Sequence, residues 1–405
     1  MPRLILAWEL GGGFGHAMPL AQLAGALLAR GHEVHLVWRD LSLSGAALGK
    51  LESSPDLHLW QAPVWPTTLG GLPEPASHAE ILLRAGFLDD GRLRGLVQGW
   101  RSLFTTIRPD LLLADHAPTA LLASRGLEMR RALMGTGFFI PPARSPLPSF
   151  RDWEPVPAAR ICAAEADALA SCNAVLHALK CGPLNALHEL FQVDEVFLLG
   201  WTELDHLTGL REREEPRVWG ALPALAAGAT PAWPDAPGPR IFGYLKREHP
   251  SAAALLDVLR DGPWSCLLHV SGMSPEELSR WSGGKVRIVD TLMHLPAVLA
   301  EADLVLCHAN AGTVYASLAA GVPTVMLPLQ AEQLLLARRV AATGAGVFLW
   351  PHEVAVGLVP AIKAVLESSG FRLTARSLAA RNGHAIYGDV LAAITSRCEA
   401  LALAQ

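Results

Sequence analysis

Short apolar runs, each followed by a longer amphipathic stretch, recur from one end of the chain to the other. That alternation constrains the fold more than any other feature. A strand buried on both faces reads as a continuous apolar run, and a parallel neighbour needs a crossover, usually a helix, before it. Repeated strand–helix units therefore predict an α/β protein built on parallel sheets. In the first half, Leu4–Trp8, Glu33–Trp38, Leu111–Ala114 and Glu195–Leu199 read as strands. Pro19–Arg30, Ala79–Ile107 (broken near Gly86–Gly91) and Ala158–Ala178 read as helices. The second half offers strands at Arg240–Phe242, Ser265–Val270, Val286–Val289, Leu304–Cys307 and Thr324–Leu327. Helices are expected around Ala252–Arg260, Ala311–Ala320 and Glu332–Ala342, with a helical tail at Leu358–Glu367 and Leu391–Ala402.

Between the halves, Pro216–Pro239 carries prolines 216, 223, 231, 234, 237 and 239 and little periodicity, which predicts an extended connection. With 405 residues there is chain enough for two to three domains. The expected organisation is two Rossmann-like domains, 1–215 and 240–405, joined by 216–239, with the C-terminal helices in the second. Ligands of open parallel sheets sit beyond the carboxyl ends of the strands. Two such domains facing across a cleft would place the site there.

Composition narrows the classes. The 33 basic residues against 38 acidic give a net charge of −5, which excludes the electrostatic footprint of a nucleic-acid binder. Six cysteines without a C-x-x-C pair read as core hydrophobes in a reducing, cytoplasmic setting. Leu4–Trp8 meets Glu9 too early for a signal peptide. No window approaches the roughly 20 apolar residues of a membrane span, which leaves only peripheral membrane contact open. There is no D-x-D pair, and His188-Glu189 and His352-Glu353 lack the second histidine of H-E-x-x-H, so no metal site is expected.

Gly11-Gly12-Gly13-Phe14-Gly15-His16 follows the first strand and opens a helix. The dinucleotide fingerprint G-x-G-x-x-G/A fits in neither register: the sixth position is His16 counting from Gly11 and Met18 counting from Gly13. Asp40, ending the second strand, keeps a nicotinamide-dependent oxidoreductase among the alternatives. The loop instead reads as a sharp turn, with Gly12, Gly13 and Gly15 giving the backbone freedom, that carries the His16 imidazole to a strand's carboxyl end. An imidazole suits proton abstraction near neutrality, best with a carboxylate on its other nitrogen. Asp115, just after Leu111–Ala114, comes out on the same sheet edge.

His308-Ala309-Asn310-Ala311-Gly312-Thr313 follows a strand and opens a helix, whose first N–H groups make an anion site. Small residues leave room for phosphate, and Thr313 and the His308 ring can donate to it. Further on, Glu332 and Gln333 open the next helix with an acceptor and a donor for vicinal sugar hydroxyls.

GGGFGHAMP followed by LAGALLARGHEVHLV, and HANAGTVYASLAAGVPTVMLPLQAEQLLLARRVAATGAGV, resemble the GT-B glycosyltransferases that include bacterial natural-product and plant UDP-sugar transferases. The resemblance covers the whole chain. It implies inverting, metal-independent transfer of a sugar from a nucleotide diphosphate to an acceptor hydroxyl, with no cofactor beyond the nucleotide sugar. His16 matches the family's general base and Asp115 its supporting acid. His308, Asn310, Gly312 and Thr313 fall on the diphosphate motif, and Glu332 and Gln333 match the pair that grips donor hydroxyls. Ala309 and Asn310 stand where the family has two glycines, and Glu332 where Asp is usual. Leu292-Met293 lies near the nucleobase but lacks the aromatic of W-x-P-Q, so uridine and thymidine donors are equally admissible. Gly243–Lys246, after the first strand of the second domain, reaches the donor, and Lys246 can neutralise phosphate.

The acceptor belongs to the first domain. Trp60, Trp65, Phe138, Phe139, Phe150 and Trp153 there suggest a hydrophobic small molecule or lipid. A lipid-linked sugar transferase and a non-catalytic nucleotide-sugar binder share these motifs, and either a monomer or a homodimer is compatible with them.

Overall fold

The computed structural model describes every residue except 68, 70, 212–215, 223–227, 384–388 and 405. The chain divides into two compact units. One comprises 1–199, 207–219 and 390–405; the other comprises 200–206 and 220–389.

The first unit is built on strands β1 (Arg3–Trp8), β2 (Glu33–Trp38), β3 (Leu57–Gln61), β4 (Leu111–Asp115), β5 (Arg130–Thr136), β6 (Glu195–Leu199) and β7 (Val218–Gly220), in the order β3-β2-β1-β4-β5-β6-β7. The pairs from β3 through to β6 are parallel. Every residue of β4 is buried, as a central strand covered on both faces requires. Leu112 and Ala114 pack with Trp100, Phe104 and Val97 from the helix Asp90–Ile107. Full burial of a side chain such as Leu112 stabilises by roughly 1.5–3 kcal/mol. That helix opens on an Asp89 cap that accepts the Arg92 N–H at 2.8 Å. The expected break before it is real: Ala85 and Gly86 leave helical geometry, Gly86 at φ +102°.

The second unit carries β8 (Arg240–Lys246), β9 (Ser265–Ser271), β10 (Val286–Val289), β11 (Leu304–Cys307), β12 (Thr324–Met326) and β13 (Gly346–Phe348), all parallel, in the order β10-β9-β8-β11-β12-β13. Two doubly wound parallel sheets give the α/β, Rossmann-like class expected from the alternation.

The boundaries differ from the expectation in two places. Within 216–239, Val218–Gly220 joins the first sheet, and Ala229 bridges to Met293 in the second unit. The prolines at 216 and 231–239 therefore border short pairings rather than one free connection, while Pro223 lies outside the described residues. The last helix, Asp389–Leu403, was expected in the second domain but packs in the first unit. Ile394 and Cys398 are buried, Glu399 meets Arg30 and His32 at 3.0 and 3.1 Å, and Arg397 meets Glu195 at 2.5 Å. All six cysteines are unpaired. Among the described residues no single helix is long and apolar enough to cross a membrane.

Candidate functional site

Each sheet has a point where the chain order reverses, and crevices at such points are where open α/β sheets bind ligands. In the first sheet the reversal lies between β1 and β4. Gly11 and Gly13 turn the chain out of β1 with φ of +81° and +77°, a region glycine enters without steric cost. Gly12 and Gly15 have ordinary φ and open space where a side chain would stand. The Arg39 guanidinium, at the end of β2, donates to the Gly11 carbonyl at 2.9 Å and holds the turn. Sequence reading missed that residue.

The turn delivers His16, which is 4% exposed, to Asp115, the last residue of β4. Its Nδ1–H donates to Asp115 Oδ2 at 2.9 Å. Trp8 lies against the ring, with centroids 5.3 Å apart and planes 18° apart, and Phe139 touches it at 4.7 Å. A carboxylate on Nδ1 fixes the proton there and leaves a lone pair on Nε2. Among the described residues Nε2 has no hydrogen-bond partner. A Cβ on Gly11 would lie 2.5 Å from Nε2, so glycine keeps that edge open. His116 stands nearby at φ +47°, and burial holds its ring well below the usual histidine range. It is neutral near pH 7. Asp110 is engaged at the other end of β4, accepting the Arg3 N–H at 2.7 Å. Asp40 accepts the Ser42 N–H at 3.0 Å, so the carboxylate on which a dinucleotide reading leans caps its own turn.

The second sheet reverses between β8 and β11. Here β8 is longer than expected and ends on Lys246, so Gly243–Lys246 are strand residues. His308, directly after β11, departs from the expectation that its ring donates to phosphate. It is fully buried, its Nδ1–H donates to the Leu327 carbonyl at 2.9 Å, and its Nε2 accepts the Lys246 N–H at 2.8 Å. Burial pushes it down to about 4, so the ring is neutral with both nitrogens committed. The ring ties β8, β11 and the end of β12 together beneath the loop.

Ala309 has a left-handed backbone, φ +61°, a conformation that favours glycine. Asn310 caps the helix Ala311–Ala319, its carbonyl accepting the Val314 N–H at 3.0 Å. The first N–H groups of that helix, Ala311 to Thr313, have no partner within it. A side chain on Gly312 would meet nothing within 4 Å, so the loop faces open space.

Gln333 is 3% exposed and its Oε1 accepts the Leu329 N–H at 2.8 Å, which spends its acceptor on bracing the preceding loop. Glu332 is half-buried, with Oε1 3.4 Å from the buried His206 ring. Leu292 is exposed and Met293 buried. Met293 lines a 680 Å³ concavity with Thr291, Ala229, Pro234, Arg287 and Val289 among others, a feature no sequence motif announced. Of the aromatics, Phe138 and Phe150 are core residues, whereas Phe139 reaches His16.

Among the described residues Glu33, His35 and His58 converge as potential metal ligands on β2 and β3. Trp60 Nε1–H donates to His35 Nδ1 at 3.0 Å, which places the ring proton on Nε2, where it donates to Glu33 at 3.0 Å. The lone pair a metal needs is therefore occupied.

Residues 264–386 match the model of the erythromycin biosynthesis protein CIII-like C-terminal domain. The chain is 26% identical over 362 residues to a PGL/p-HBAD biosynthesis glycosyltransferase of Mycobacterium tuberculosis, covering 80% of this chain and 81% of that one. It is 29% identical over 177 residues to the elloramycin glycosyltransferase of Streptomyces olivaceus, covering 43% and 44%. Among solved structures, the glycosyltransferase of kitacinnamycin superposes with a TM-score of 0.71 at 19% identity, over 99% of this chain and 100% of that one. The spinosyn rhamnosyltransferase SpnG complexed with thymidine diphosphate gives 0.61 at 18%, over 97% and 96%. The strand order of both sheets and these structural neighbours give the chain the GT-B fold, and the relatives it resembles in sequence are glycosyltransferases.

Proposed function

We propose that this glycosyltransferase moves a sugar from a UDP- or dTDP-sugar to the hydroxyl of a hydrophobic acceptor, with inversion and without a metal ion. His16 Nε2 takes the acceptor proton as the acceptor oxygen attacks the anomeric carbon from the side opposite the diphosphate. The new C–O bond forms while the bond to the diphosphate oxygen breaks, and the nucleoside diphosphate leaves with the bonding electron pair. Asp115 stabilises the imidazolium that results. The observation that carries this reading is the 2.9 Å His16–Asp115 hydrogen bond beside an unpartnered Nε2. A base of this kind contributes about 10²–10⁴-fold in rate.

Charge developing on the leaving diphosphate is met by the N–H groups opening the helix Ala311–Ala319, the Thr313 hydroxyl, the Asn310 amide and Lys246. His308 serves by holding that loop. Glu332, with Gln333 behind it, addresses the donor sugar, and Leu292 and Met293 lie towards the base. The thymidine diphosphate held by SpnG supports including dTDP among the donors. Phe139 beside His16 supports an acceptor with an apolar face. No cofactor other than the nucleotide sugar enters this scheme.

Thermal-shift titration with UDP, dTDP, GDP and NAD tests the donor. A nucleotide at 100 times its Kd stabilises by about 2.7 kcal/mol. Stabilisation by UDP or dTDP is expected; stabilisation by NAD alone overturns the proposal.

A further inference from the structure

Glu9 is a carboxylic acid that the transfer scheme does not use, yet it lies 1% exposed immediately after β1. Its Oε2 accepts the Thr119 N–H at 2.9 Å and its Oε1 accepts the Ala120 N–H at 2.8 Å. Next to it, the Leu10 N–H donates to the His116 carbonyl at 3.0 Å. The β1–β4 ladder ends at the pair Trp8 and Asp115, so these three bonds continue the pairing past the strands. They join the segment leading from Trp8 into the glycine turn to the segment leaving Asp115.

We infer that Glu9 is a positioning residue that locks the Asp115 loop to the end of β1 and thereby holds the Asp115 carboxylate on His16 Nδ1. The inference rests on the proposed base role of His16. On one side Asp115 is fixed by its ladder pair with Trp8, the same residue whose indole lies under His16. On the other, His116 is held in a left-handed backbone conformation by the Leu10 bond and by the carboxyl that grips residues 119 and 120. Remove the grip and the Leu10 bond is left to hold a conformation that is strained for a residue bearing a Cβ.

The chemistry explains why an acid is used. Two adjacent N–H groups need two acceptor atoms, and a carboxyl supplies both. Glutamine would turn an NH₂ donor towards one of the two N–H groups. An alanine would leave both buried donors unsatisfied. Keeping a carboxyl there is costly, since burial pushes Glu9 up to about 8 against the opposing pull of its two backbone bonds.

The test uses the full chain labelled with ¹⁵N-histidine. The His16 Nδ1 proton, hydrogen-bonded to a carboxylate, gives a downfield resonance identified by its loss in His16→Ala. In Glu9→Gln that resonance is expected to disappear or move while the chain still unfolds cooperatively and is still stabilised by dTDP or UDP as the wild type is. Glu9→Asp, one methylene short but still an acid, is expected to move it less, and it serves alone if the glutamine variant does not fold. An unchanged resonance in both variants overturns the inference, as does a wild type without the signal. A helix cap with no positioning role would lower the unfolding temperature and leave the resonance in place. Because this signal does not depend on turnover, it judges Glu9 even if His16→Ala retains transfer and the base assignment fails.

Discussion

His16 and His308 bridge the reversal points of two sheets of similar winding, from opposite sides. Each ring reaches across its sheet's reversal point to the end of the neighbouring central strand: His16 from the turn after β1 to Asp115 on β4, His308 from the end of β11 to Lys246 on β8. The partners differ. His16 meets a carboxylate and keeps Nε2 free of any protein partner among the described residues. His308 accepts one main-chain N–H and donates to one main-chain carbonyl, and burial drives its protonation down to about 4. The same side chain bridging a sheet's reversal point can be a proton acceptor or a strut. What decides is whether its second nitrogen is left unspent.

The sharpest way to break this comparison is at the first ring. His16→Ala is expected to lower turnover by about 10²–10⁴-fold while nucleoside diphosphate still raises the unfolding temperature. Product formation against an acceptor panel, read beside a thermal shift, checks it, and undiminished turnover removes the distinction. Next comes Gly11→Ala, which puts a methyl against Nε2 at a backbone angle that disfavours any Cβ. Misplacing a reacting group by an ångström can cost about 10²-fold, and a loss approaching that is expected in steady-state rates.

The strut is tested by stability. His308→Ala strands a buried carbonyl and a main-chain N–H, and is expected to destabilise the second unit by on the order of 2–4 kcal/mol in denaturant unfolding. Its pH signature has a definite sign. An unfolded imidazole titrates near 6.5, whereas the folded ring stays neutral to about 4. The unfolded state therefore binds the extra proton between those values, and stability is lost as pH falls through that window, at about 1.4 kcal/mol per unit for one group. The wild type is expected to show that additional slope over His308→Ala; equal slopes would show that the ring is not held neutral. The smallest effect is Ala309→Gly. Relief of about 1–2 kcal/mol of left-handed strain is opposed by glycine's entropic cost of roughly 0.5–1 kcal/mol and by loss of a buried methyl. The change in unfolding midpoint is expected to be within a degree or two.

Much of the fold was legible because its central strands are continuous apolar runs. Leu111–Ala114 and Leu304–Cys307 are readable from composition alone. Several others were not. Arg130–Thr136 opens on two arginines and lacks β-branched residues until its end, and Leu57–Gln61 places the polar His58 and Gln61 within five residues. Val218–Gly220 owes its assignment to pairing rather than to its own pattern. At the site, the glycine turn, His16 and Asp115 could be found because strand ends and loop residues are marked locally. The commitment of His308 could not, since its partners lie 62 and 19 residues away and are main-chain atoms that every residue possesses. Glu9 was hidden for the same reason: its value lies in N–H groups 110 and 111 residues on.

The helix Asp389–Leu403 belongs to the first unit although it is the last stretch of the sequence. Domains ordinarily fold in the order in which the ribosome extrudes them. Here the amino-terminal half emerges without the segment that covers Arg30, His32 and Glu195, and cannot seal that face until the helix Asp389–Leu403 has been made. Severing the chain between the two units would not yield two whole pieces, because residues 1–199 are completed by a helix that follows the whole second unit.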